Sequence, residues 1–297
     1  MKITKILSVL LITSVALWSC DDSDNDLPMV GNLNLNISGL ENLGPDYVYE
    51  GWIIVNGAAL SSGKFVVNDN GELSHTSFII QQELLESTSA FVLTIEPYPD
   101  NDPGPSSVHI LGGDISGNSG SLSVSHGAAL GSDFADAMGK YILATPTNGA
   151  GTDENSGVWF LDISSGSPAA GLDLPTLPDG WQYEGWVVVD GQPVTTGKFT
   201  MVDTADDADP FSGDQPGPSF PGEDFLMDAP VGLNFPLDLS GAKVVISIEP
   251  MPDNSEAPFL LKPLLGDVPA NAADHTVYMM DNISGDTNPQ GSVSITL

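Results

Sequence analysis

Residues 47–55, YVYEGWIIV, alternate with period two. Val48, Glu50, Trp52 and Ile54 fall on one face, and Tyr47, Tyr49, Gly51, Ile53 and Val55 on the other, which predicts a β-strand. Asn56-Gly57 follows, a strong hairpin-turn signal, and the chain returns through GKFVV. The same order recurs in WQYEGWVVV, Asp190-Gly191 and GKFTM. AFVLTIEP and KVVISIEP read as strands that stop at Pro97 and Pro250, because proline cannot donate to a ladder. KYILAT (140–145) and the GVWFLD that follows it predict a late hairpin, and SDFADAMG (132–139) a single short helix. Strands this short and numerous predict an all-β chain of antiparallel sandwiches.

The pattern is written twice. YEGWIIVNGAALSSGKF (49–65) matches YEGWVVVDGQPVTTGKF (183–199), and FVLTIEPYPDNDPGPSSVHILGGD (91–114) matches VVISIEPMPDNSEAPFLLKPLLGD (244–267) without a gap. The extra length of the second copy falls in DTADDADPFSGDQPGPSFPGEDF (203–225). A weaker pairing sets SGVWFLDI (156–163) against the closing GSVSITL (291–297), as if each ended its domain. The small-residue stretch SSGSPAAG (164–171) then reads as a linker. A period this long indicates duplicated globular domains, since solenoid units run to about 20–50 residues. The expected layout is two tandem antiparallel β-sandwich domains, 31–164 and 165–297.

Charge narrows the function. Lys and Arg total 7 against 40 Asp and Glu, and all seven cations are lysines. Such a surface repels phosphate, so nucleic acid is excluded as a partner, and sites that clamp phosphate with arginine are disfavoured. A salt-adapted or simply solvated surface explains the acidity as well as divalent-cation binding does.

At the N-terminus, Lys2 and Lys5 precede an apolar run, Ile6 to Trp18, too short to span a bilayer but suited to a signal-peptide core. The only cysteine, Cys20, follows in LWSC, with Leu17 and Ser19 where a bacterial lipoprotein cleavage box has them. A lone cysteine can form no internal disulfide. The expectation is a signal peptide over 1–19, lipidation of Cys20 and an acidic tether over 20–30, beginning DDSDND. The tether resembles the acidic tags of surface-exported lipoproteins of Bacteroidetes. The chain is then held extracytoplasmically, at the outer membrane or cell surface, by its lipid.

Tyr49–Trp52, Ser61–Phe65 and Val92–Pro97, with Tyr183–Trp186, Thr195–Phe199 and Val245–Pro250, resemble the extracytoplasmic C-terminal domain of anti-sigma-K factors of the RskA type. That resemblance implies an all-β sensing or scaffolding module outside the membrane. The family's cytoplasmic sigma-binding domain and its transmembrane helix have no counterpart here, so direct binding of a cytoplasmic sigma factor is not expected. The implied partner is an envelope protein, and the alternative is a surface glycan or Ca²⁺ attachment role.

Candidate chemistry is sparse. Glu50 with Glu96, and Glu184 with Glu249, could be acid pairs flanking a sugar. The competing reading sets Glu50 against Lys64 and Glu184 against Lys198 as cross-strand ion pairs, and we take that one. Asp100, Asn101 and Asp102, with Asp253 and Asn254, offer oxygen ligands for Ca²⁺ in the Pro-Asp-Asn loops, as do Asp206, Asp207 and Asp209 in the long loop. Asp and Asn beside proline are also ordinary turn chemistry. Ca²⁺ is the only cofactor considered. His75, His109, His126 and His275 are scattered, and no nucleophile motif stands out, so no catalytic residue is assigned. Trp52, Trp186, Tyr49 and Tyr183 could form a glycan platform, but core packing is the expected role of the tryptophans.

Overall fold

The computed structural model describes residues 28–149, 151–253 and 255–297, so the signal peptide, Cys20, the tether up to residue 27 and Asn254 lie outside the described residues, and Val30, expected in the tether, begins the first strand. The first copy supplies β1 (Val30–Ser38), β2 (Tyr47–Val55), β3 (Ala58–Phe65) and β4 (Ser77–Gln81), then β5 (Thr88–Pro97), β6 (His109–Asp114), β7 (Ser119–Ser123) and β8 (Met138–Leu143). Four short strands follow: β9 (Gly157–Trp159), β10 (Leu161–Asp162), β11 (Ala169–Ala170) and β12 (Leu172–Asp173). The second copy continues with β13 (Trp181–Val189), β14 (Gln192–Phe199), β15 (Gly222–Asp224), β16 (Lys243–Pro250), β17 (Leu264–Asp267), β18 (Tyr278–Asn282) and β19 (Gln290–Thr296). Two single-turn helices, α1 (Gln82–Glu86) and α2 (Ser284–Thr287), complete the chain. No helix among the described residues is long and apolar enough to cross a membrane.

The predicted hairpins form. Asn56 and Gly57 take φ of 52° and 80°, and Asp190 and Gly191 take 51° and 84°. Both pairs have the positive φ that a tight hairpin turn of primed type needs. Each return strand contains a glycine with positive φ, Gly63 and Gly197, next to a β-bulge opposite the Gly-Trp of the motif.

All strands pair antiparallel, in two large sheets and a β10–β11 ribbon, with β12 on the side of β8. The first runs β3-β2-β5-β6-β7-β19-β1-β4 and the second β14-β13-β16-β17-β18-β8-β9-β15. The first nearly closes on itself, because Phe78 of β4 packs over Gly63 and 6.4 Å from Phe65 of β3. The chain is all-β, built of two antiparallel sandwiches.

The sheets do not divide at residue 164. β19, the last strand of the second copy, lies inside the first sheet, with Leu35 opposite Val293 and Val293 opposite Gly120. β8, the last strand of the first copy, lies inside the second sheet, where Tyr141 faces Tyr278 and Ile142 faces Trp159. Each copy therefore lends its final strand to the other, at equivalent positions in the two strand orders. The expected boundary between 31–164 and 165–297 is corrected accordingly, and so is the pairing of SGVWFLDI with GSVSITL. The true counterpart of β19 is β8, and β9 instead sits where β1 does. The late hairpin of β8 with β9 is real but belongs to the second sheet.

Burial enforces the exchange. Val293 and Ile295 of β19 are buried between β7 and β1, and Tyr141 and Leu143 of β8 are fully buried. The larger of two apolar clusters runs from Leu33 to Ile295 through both sheets, and a small second one gathers Ile142, Ala144, Trp159 and Leu161. Each buried aliphatic or aromatic side chain of this kind contributes about 1.5–3 kcal/mol.

The helix expected over 132–139 is absent. Ser132 Oγ accepts from Phe134 N at 3.0 Å and Asp133 Oδ1 from Ala135 N at 3.1 Å, so local side chains compete with helical bonding. Phe134 is left-handed (φ 60°) and buried, and Asn282 Nδ2 donates to the carbonyls of Phe134, Ala135 and Ala137.

Candidate functional site: two carboxylate networks and the cleft between the copies

The repeated motifs build the same polar network twice. Trp52 Nε1 donates to Thr94 Oγ1 at 2.8 Å, Thr94 donates on to Glu96, and Glu96 Oε1 also accepts from Ser106 N at 2.9 Å. Trp186 Nε1 likewise donates to Ser247 Oγ at 2.8 Å, Ser247 to Glu249, and Glu249 Oε1 accepts from Phe259 N at 2.9 Å. The recurring Trp and Glu thus strap the loop after β5 or β16 to the sheet. Both tryptophans are buried, as are Tyr49 and Tyr183 on the opposite face, where they stack on Phe65 and Phe199. The glycine of the motif is required by close approach: a Cβ on Gly51 would meet the Phe91 ring at 2.8 Å, and one on Gly185 the Phe160 ring at 2.7 Å.

The predicted ion pairs are present. Glu50 faces Lys64 in the β2–β3 ladder, with Lys64 Nζ 3.2 Å from Glu50 Oε2, and Glu184 faces Lys198, at 4.0 Å. Asp100 and Asp253, expected as Ca²⁺ ligands, curl back onto these same lysines, at 2.8 Å and 3.0 Å. Lys64 holds the Asp100 carboxyl below the usual carboxylate range. Asp102 is spent on turn structure, accepting from Gly104 N at 3.0 Å, and Asn101 is exposed. The structure does not bring Asp100, Asn101 and Asp102 together as a ligand set.

The long loop follows the same rule. Asp206 packs over Gly197, where the first copy has Phe78 over Gly63, and accepts from Gly222 N at 2.8 Å. Burial pushes Asp206 up to about 7. Asp207 accepts from Lys198 N at 2.8 Å, and Asp209 is exposed. Asp206 and Asp207 therefore pin the loop to β14. Behind them lie two buried acids that sequence reasoning passed over. Glu223, pushed up to about 8 by burial, accepts from Ser212 Oγ, and Asp224 accepts from Trp159 Nε1 at 2.8 Å and Thr147 N at 2.8 Å. No sequence periodicity marks these two.

Among the described residues, one group of three potential ligands gathers its oxygens within 4.8 Å of one another: Glu184, Glu249 and Asp253. Burial pushes Glu184 up to about 8 and Glu249 up to about 7, and the neighbouring carboxylates add to both shifts. Glu249 and Asp253 also line a cleft of about 580 Å³ between the copies. Its other wall is the β1–β2 loop of the first copy, with Glu41, Asp46 and Tyr47, and its floor includes Phe259. Burial pushes Glu41 up to about 7, opposed by the charge of Lys262, whose own value burial pulls down. Beside this cleft Trp181 packs on Phe259 and donates to His109 O across the junction, at 3.2 Å. The cleft's lining could not be anticipated from the sequence, because its walls belong to different copies.

The histidines stay apart. His109 Nδ1 meets Ala128 O at 2.8 Å, His126 lies 3.5 Å from Asp114, and His275 lies 2.9 Å from Asp274. No protein-family model, no curated protein and no solved structure matches the chain.

Proposed function

We propose that this is a non-catalytic lipoprotein of the bacterial envelope, anchored through Cys20, whose cleft between the two copies receives an extracytoplasmic partner. The observation that supports the reading is the cleft itself. It joins the β1–β2 loop of one copy to the loop after β16 of the other, and it presents Glu41 and Asp46, which precede the repeated segments, beside Tyr47 and Phe259, whose counterparts Trp181 and Ser106 differ in kind. Most of the residues that recur between copies hold each sandwich together, through the Trp–Thr/Ser–Glu straps and the Glu–Lys–Asp pairs, and in the first copy Glu50 and Glu96 are both buried. That weighs against the acid pairs as hydrolytic machinery, because a general acid must reach its substrate. The resemblance to the anti-sigma-K outer domain favours an envelope signalling protein as partner. The acidic, arginine-free surface suits a partner with basic groups.

A second reading, surface attachment through a glycan or Ca²⁺, is favoured by the gathered oxygens of Glu184, Glu249 and Asp253. In vivo crosslinking from a photoreactive residue at Asn42, on the exposed rim, tests the first reading. An envelope signalling protein should be captured, and capture should fall when Tyr47→Ala and Asp46→Ala are combined. Recovery of cell-wall glycan alone, or capture indifferent to the double change, overturns it.

A further inference from the structure

We propose that Glu184, Glu249 and Asp253 form a binding site for one divalent cation of the hard, oxygen-seeking class, Ca²⁺ foremost, and that only the second copy has it. The site goes beyond the partner-binding reading and does not depend on it.

Each of the three carboxylates uses one oxygen to fix itself and offers the other. Glu184 Oε1 accepts from Thr195 Oγ1 at 2.5 Å. Glu249 Oε1 accepts from Ser247 Oγ and from Phe259 N. Asp253 Oδ1 accepts from Ser255 N at 2.8 Å. The remaining oxygens, Glu184 Oε2, Glu249 Oε2 and Asp253 Oδ2, are buried and have no hydrogen-bond partner among the described residues. Glu184 and Glu249 are only 2% and 0% exposed. Buried carboxylate oxygens without partners are costly, and three that converge are costlier still.

The spacing suits one ion. Ca²⁺–O bonds of about 2.4 Å place two ligands of one ion at most ~4.8 Å apart, and these three groups lie within 4.8 Å of one another. Mg²⁺, with bonds of ~2.0–2.1 Å and a rigid octahedron, would require the site to contract. Hard carboxylate oxygens without nitrogen or sulfur also disfavour zinc and copper. The framework bonds supply the outer shell that holds such ligands in orientation. Water from the adjoining cleft, which Glu249 and Asp253 line, completes the coordination.

Lys198 is the competitor. Its Nζ forms an ion pair with Asp253 Oδ2 at 3.0 Å and donates to Asp253 O at 3.1 Å. It stands 4.0 Å from Glu184 Oε2. One ammonium balances one of three carboxylates, and with a side chain 24% exposed it can swing to solvent as the ion enters. In the first copy Lys64 is placed differently: it bonds Asp100 Oδ2 at 2.8 Å and stands 3.2 Å from Glu50, so no equivalent trio of free oxygens forms. Metal binding displaces protons from carboxylates, so affinity rises with pH.

The test is CaCl₂ titration of the full chain by calorimetry at pH 7.5, with KCl at matched ionic strength as the control for screening of the acidic surface. Saturable binding of one Ca²⁺ per chain is expected, weakened at least tenfold by Asp253→Asn and changed less than twofold by Asp100→Asn. Mg²⁺ should bind at least tenfold more weakly than Ca²⁺. Lys198→Met removes the competing cation and should tighten binding. No saturable heat beyond the control up to 10 mM (on the order of the weakest extracellular Ca²⁺ modules) overturns the proposal. So does equal affinity in Asp253→Asn. If that variant does not fold, Lys198→Met decides: unchanged or weaker binding refutes the site.

Discussion

The two copies use the same four side chains, Glu, Lys, Glu and Asp, and reach different electrostatic states. In the first, Lys64 lies 3.2 Å from Glu50 and 2.8 Å from Asp100, and one ammonium serves both acids at the edge of the sheet. In the second, Lys198 reaches Asp253 at 3.0 Å but stands 4.0 Å from Glu184, and Glu249 joins the cluster from β16. What separates the two is the third acid: Glu249 adds like charge that one lysine cannot balance, while the desolvation of each acid is set by the sheet and does not relax. Duplication therefore preserved the framework while changing what the framework holds.

The largest expected effect concerns the strands that make the copies interdependent. A chain ending at Asn288 loses β19, and with it the buried Val293 and Ile295 and the ladders to β1 and β7. The two side chains alone account for roughly 3–6 kcal/mol, against a typical total stability of about 5–15 kcal/mol. Cooperative unfolding in urea should be lost, and a peptide of residues 289–297 added in trans should restore it. Separate transitions for two independent halves would show that the exchange does not couple the copies.

A smaller effect should distinguish the acid clusters. The folded-state values of Glu184, about 8, and Glu249, about 7, lie above the usual range for glutamate. The folded state therefore holds protons that the unfolded chain releases above about pH 4.5. Their favourable contribution is full below that pH and is lost as pH rises toward 7–8, so stability falls across this window. Glu184→Gln should flatten the slope and stabilise the chain at pH 8. Urea midpoints of the variant and the unaltered chain at pH 5.5 and 8.5 measure this, and equal slopes for the two would remove Glu184 from the account.

The smallest expected effect is at Lys243, whose pairing with Asp267 at 2.5 Å lies on the surface, with side chains 52% and 73% exposed. Lys243→Ala should cost under about 0.5 kcal/mol, because solvent and salt screen such pairs. A cost as large as that of Lys198→Ala, measured by urea melts in the same buffer, would deny the motif lysines their special place.

Much of the local structure was legible. The alternation around Trp52 and Trp186, the Asn-Gly and Asp-Gly turns, and Glu50 and Glu184 opposite Lys64 and Lys198 follow from period two and turn chemistry, which act over a few residues. The helix expected at 132–139 failed because Ser132, Asp133 and the distant Asn282 claim the backbone groups a helix would use. Of the proposed ligand set, Glu184, Glu249 and Asp253 were each legible as acids in repeated motifs. Their convergence was not, because Asp253 reaches Glu184 only through the turn after β16 and the register of β13 on β16.

The amino-acid sequence by itself determined that this is a duplicated, acidic, all-β chain whose repeated phrases are hairpins, since side-chain period and turn propensity are properties of neighbouring residues. The tertiary structure alone decided that each copy closes with the other's last strand, and that one copy leaves three carboxylate oxygens facing one another. Both outcomes depend on which edge a strand finds and on which acids the register gathers round one lysine, and these are settled by burial and packing between residues far apart in the chain.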